Sequence, residues 1–79
     1  MISDDLRAEL RSILALEAAA DVDWPSVEQR CLALVRDFVP ESRDDGIVLH
    51  FLDDPDIRRK DRGYAGRQRE KLSRYLSEN

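Results

Sequence analysis

Ile47-Val48-Leu49-His50-Phe51-Leu52 is the stretch on which the fold turns. It is rich in β-branched and aromatic residues, and Asp44-Asp45-Gly46 and Asp53-Asp54-Pro55 close it off on either side. Taken alone, it fits a buried strand as well as a short helix, because periodicity carries no information over so few residues. A strand needs a partner for its ladder, and no second run in the chain reads as one. A helix is therefore expected over about 44–53, capped by Ser42 or Asp44. The alternative is a strand over 47–52, which two copies of the chain would have to pair.

Working outward, the flanking segments are helical by spacing. Trp24, Val27, Cys31, Leu34, Val35 and Phe38 share one face. Asp23 can cap that helix, Pro25 sits harmlessly in its first turn, and Pro40 stops it, giving helix over 24–39. Further back, Leu6, Leu10, Ile13, Leu14 and Leu16 recur at three- and four-residue steps and run into Ala18-Ala19-Ala20. Ser3 as N-cap, with Asp4 and Asp5 at the positive dipole end, predicts helix over 4–20.

On the other side, Asp54-Pro55 opens a helical stretch over 55–77. Its interior glycines, Gly63 and Gly66, each cost about 1 kcal/mol relative to alanine. Asp61 can recap the chain, dividing the stretch into a turn at 55–60 and a main helix at 62–77. The apolar face of that helix is thin: Tyr64, Ala65, Leu72, Tyr75 and Leu76. The expected fold is all-α, one domain over residues 1–79, a bundle of three to four helices with consecutive helices roughly antiparallel. Its core is drawn from Leu6, Leu10, Ile13, Leu14, Val27, Cys31, Leu34, Val35, Phe38, Val48, Phe51, Leu52, Leu72 and Leu76.

Size and composition narrow the function classes. A chain of 79 residues buries only roughly 60% of its unfolded surface, too little interior for a deep, shielded active site. With 42% apolar and 38% charged residues and a net charge of −4, it reads as neither disordered nor basic overall. The single cysteine, Cys31, excludes an intrachain disulfide framework. No apolar run approaches the ~18 residues of a membrane span, and the acidic start lacks the basic region of a signal peptide. A cytoplasmic protein without membrane association is expected.

Charge is divided along the chain. Residues 1–56 hold 14 acidic and 5 basic side chains, whereas residues 57–79 hold 3 acidic and 8 basic. The cations are Arg58, Arg59, Lys60, Arg62, Arg67, Arg69, Lys71 and Arg74. Such a split bears on association rather than on fold. It fits a solvated face lying against the acidic part of the same bundle, where exposed pairs contribute only ~0–1 kcal/mol each. It also fits a non-enzymatic protein-interaction module, a small adaptor, regulator or inhibitor that could form homo-oligomers. Docking is then expected through Trp24, Tyr64 and Tyr75, with Arg58, Arg59, Arg62 and Arg67 steering an acidic partner. Nucleic-acid binding is the alternative, the same cations on phosphates and Tyr64 on a base, but the acidic body opposes it. Asp44, Asp45, Asp53, Asp54 and Asp56 could imitate a phosphate row; as caps and turn formers they have a simpler explanation.

Sites for chemistry are sparse. His50 precedes Asp53 and Asp54 by three and four residues, which would place it beside a carboxylate as a metal half-site or an oriented base. One histidine and two carboxylates fall short of a closed zinc site, so a metal-dependent enzyme is the distant alternative and a half-buried, structural histidine is expected. Cys31 lies on the most apolar face and is expected to be buried and inert. Neither cofactor nor metal is expected.

Overall fold

The computed structural model describes residues 2–41, 43 and 45–78, whose regular secondary structure is helical throughout. They are α1 (Asp4–Glu17), α2 (Trp24–Asp37), α3 (Gly46–Asp53), α4 (Pro55–Lys60) and α5 (Arg62–Glu78). Residues 47–52 lie within α3, so the strand alternative falls. The last stretch is two helices, broken at Asp61, whose Oδ1 accepts from the Tyr64 N–H at 3.0 Å. α2 packs on α1, α3 and α4, and α5 packs on α3 and α4, which places α3 between α2 and α5. The radius of gyration, 11.6 Å, is what a packed chain of this length has.

The caps of the first two helices follow the sequence. Ser3 Oγ accepts from the Leu6 N–H at 3.1 Å, and the Asp23 carboxylate takes both the Ser26 N–H and its hydroxyl. α1 stops at Glu17 rather than 20. Ala18, Ala19 and Ala20 are exposed, so a longer helix would bury nothing, and the chain closes with tightened bonds from Ala18 to Ala15 and from Ala19 to Leu16. α2 ends at Asp37, because Phe38 turns extended and packs half-buried against the core. The start of α3 departs further. Ser42 and Asp44, the expected caps, lie outside the described residues, and the N-cap is Asp45, whose side chain makes no capping bond. Its carboxylate instead accepts the Glu41 N–H at 3.0 Å and the Tyr75 hydroxyl at 2.6 Å, tying the α2–α3 connection to α5.

Leu10, Ile13, Val27, Cys31, Val48, Phe51, Leu52, Leu72 and Leu76 form the buried core, as the spacing predicts. Leu6, Leu14, Leu34, Val35 and Phe38 pack around it partly buried. Ile2, Ala65 and Tyr75, outside the expected core, are buried as well, the last two on the apolar face expected of the final helix. Arg7 of α1 donates to the Leu76 carbonyl at 2.5 Å, satisfying an otherwise orphaned acceptor at the end of α5.

Candidate functional site

Arg58, expected to steer a partner, is the largest fully buried side chain, with 1% of its surface exposed. A guanidinium has five N–H donors and no means of losing its charge, so burial demands five acceptors and a counter-ion. All are supplied. Nε and Nη2 fork onto the Glu17 carboxylate at 3.0 Å each, Nη1 donates to the Phe51 carbonyl and, at 2.9 Å, to Gln68 Oε1, and Nη2 reaches Cys31 Sγ at 3.7 Å. The guanidinium plane rests over the Phe51 ring, 3.7 Å from its centroid. Glu17 takes a second cation, Arg69, at 3.1 Å. One side chain from α4 thus holds α1, α2, α3 and α5 together, and no buried side-chain N or O among the described residues lacks a partner.

This clasp rewrites the expected interaction surface. Arg58 and Tyr75, which is 4% exposed, face inward and reach no partner. Trp24 is half-buried against the core rather than displayed at an edge. Tyr64 is half-buried, its hydroxyl donating to Asp54 Oδ2 at 2.5 Å while Gln68 Nε2 donates back to it at 2.8 Å. Donation to a carboxylate pushes the Tyr64 phenol above its usual range. Arg59 is exposed and pairs loosely with Glu28 at 3.7 Å, and Arg74 pairs with Glu70 at 2.8 Å. That leaves Lys60, Arg62, Arg67 and Lys71 exposed and, among the described residues, without an ion pair.

Two of the four line a groove of about 280 Å³ between α3 and α5, walled by Ile47, His50, Tyr64, Arg67, Gln68 and Lys71. Arg67 and Lys71 stand one helical turn apart and project from the same side of α5. Facing them, His50 is exposed, where a half-buried, satisfied ring was expected. It belongs to no metal cluster: among the described residues no three His, Cys, Asp or Glu side chains converge on one point. The phosphate-row idea also shrinks, since Asp45 is buried and Asp54 is engaged by Tyr64 and Gln68, while Asp44 lies outside the described residues. No helix among the described residues is long and apolar enough to cross a membrane.

Cys31 is buried, as its spacing predicts, and burial pushes its thiol above the ordinary 9.0 even though Arg58 pulls the other way. A raised thiol keeps its proton in the folded chain after the unfolded chain has lost it. Its contribution to stability is therefore present below about pH 9 and lost as pH climbs through the folded value. Urea unfolding between pH 7 and about 10 should show stability falling at the alkaline end. Cys31→Ala should flatten part of that fall, and a thiol reagent should modify native Cys31 no faster than the chain opens.

Comparison with known protein families, with curated proteins and with solved structures finds no significant match.

Proposed function

We propose that the chain is a non-enzymatic protein-interaction module whose docking face is the α3–α5 groove and whose partner presents an acidic surface. One observation carries the reading: Arg67 and Lys71 line an open groove with an apolar wall while no carboxylate of the described chain engages them. Cations already satisfied at home offer a partner little, and that is the state of Arg58, Arg69 and Arg74. Unpaired ones steer encounter and set register. Ile47 and the Tyr64 ring supply apolar contact beside them. Arg62 and Lys60, at the α4–α5 junction, extend the cationic field.

Nucleic acid is the weaker occupant. The Tyr64 hydroxyl is anchored to Asp54, so its ring is not free to swing onto a base, and of the eight cations in residues 57–79 only four are without an ion pair among the described residues. Titration of isotope-labelled chain with a short Glu-rich peptide, and separately with a single-stranded oligonucleotide, tests the choice. The peptide should shift the resonances of Ile47, His50, Arg67 and Lys71, and Arg67→Ser with Lys71→Ser should weaken it at least tenfold without loss of helicity. Oligonucleotide binding stronger than peptide binding, with a log–log salt slope near −3 as four phosphate contacts on a single strand give, would overturn the reading.

A further inference from the structure

A second groove, also about 280 Å³, opens on the other side of α3. Its apolar walls come from Leu32 and Val35 of α2, Leu52 at the end of α3 and Pro55 at the start of α4. Its rim is acidic: Glu28, Asp53 and Asp56. Leu32 is 61% exposed, and Ile57, in the following turn of α4, is 42% exposed. Glu28 is shared with Arg59, but Asp53 and Asp56 have no cation partner among the described residues.

The chain therefore carries two unlike faces flanking one helix. On the α3–α5 side an apolar wall is bordered by unpaired cations, and on the α2–α4 side an apolar floor is bordered by unpaired carboxylates. Each has the charge the other lacks, and α3 lies between them, so the two cannot meet within one molecule. They can meet between molecules. We infer that the acidic partner of the α3–α5 groove is the α2–α4 groove of a second copy of this chain, joined head to tail.

The inference rests on the docking reading above and names its partner. A standard interface takes about 800 Å² from each side, roughly 15% of the 5297 Å² this chain exposes, so one copy has room for both faces. Because the two faces differ, the contact is heterologous: after one copy docks, each end of the pair still presents a vacant face, and assembly runs past the dimer. The contact is charged at its rim, so added salt weakens it as the screening length shrinks from about 8 Å at physiological strength to 3 Å at 1 M.

Two blocked variants of the full chain test it by sedimentation velocity across two orders of magnitude in concentration. The first, Arg67→Ser with Lys71→Ser, removes the basic face. The second, Leu32→Ser with Asp53→Asn and Asp56→Asn, removes the acidic one. All five positions are exposed, and circular dichroism confirms that each variant keeps its helices. The parent chain should grow beyond a dimer with concentration and dissociate at 1 M salt, and each variant alone should stay monomeric. Mixed in equal amounts, the two should form a 1:1 pair and stop there, since each retains only one working face. A parent that stays monomeric at every concentration overturns the inference, and if the Glu-rich peptide still shifts Arg67 and Lys71 the docking reading survives it. A dimer that forms equally well from either variant alone overturns it too, by placing the contact on a different, symmetric surface.

Discussion

Glu17→Leu is expected to cost roughly 3–5 kcal/mol of folding free energy, the range for breaking a buried ion pair by removing one partner. The substitution strands Arg58 at the centre of the bundle, where it loses both forked bonds to the carboxylate and keeps only the Phe51 carbonyl, Gln68 and a weak sulfur acceptor. A domain of this length has only about 4–12 kcal/mol in total. The melting temperature should drop by roughly 15–30 °C, a size of effect that thermal denaturation followed by circular dichroism reads directly. Arg58→Met should sit at the lower end of the same range, because Glu17 keeps Arg69. Combining the two should recover most of the loss: two apolar side chains fill the space, and Arg69, a third exposed, turns to water. If the double variant is no more stable than Glu17→Leu alone, the pair is not the unit that the geometry makes it.

Phe51→Ala is the second large effect, also about 3–5 kcal/mol. The ring is buried among residues of the core and lies face-on under the guanidinium, so alanine leaves a cavity and uncovers one face of the cation. Phe51→Leu separates the two contributions. It retains most of the apolar volume and removes the ring face, so about 1–2 kcal/mol should be lost, the scale of a desolvated cation–π contact. Equal losses from the two substitutions in urea melts would assign the whole effect to the cation and none to packing.

The helical identity of 47–52 could be read without coordinates because the deciding fact was global: a strand with no partner cannot satisfy its backbone. Capping at Ser3, Asp23 and Asp61 was legible for a local reason, a short polar side chain one turn before an amide. Helix ends were less so. The alanines after Glu17 favour helix intrinsically, yet helix propensity is a few tenths of a kcal/mol and yields when extension buries nothing.

The interaction surface was misread at Arg58 and Tyr75 because residue type alone does not separate a buried guanidinium from an exposed one. A signal was present. Leu10, Ile13 and Glu17 continue one stripe at steps of three and four, which places a carboxylate where a core residue belongs and calls for a buried cation. Leu72, Tyr75 and Leu76 likewise put the tyrosine at the middle of its stripe rather than at its edge. Nothing local named Arg58 as the partner among eight cations; that pairing depends on where α4 lands.

The position of Arg58 also has a kinetic meaning. Its carboxylate lies 41 residues away and its other acceptors 7 to 27, so no fragment of the chain satisfies the guanidinium in isolation. Until α1 and α5 have both docked, water holds that charge better than any half-built interior. The clasp is therefore expected to close after the rate-limiting step, as the last bolt thrown. Glu17→Leu should then leave the speed of folding nearly unchanged and shorten the lifetime of the native state, which stopped-flow refolding and unfolding rates read directly.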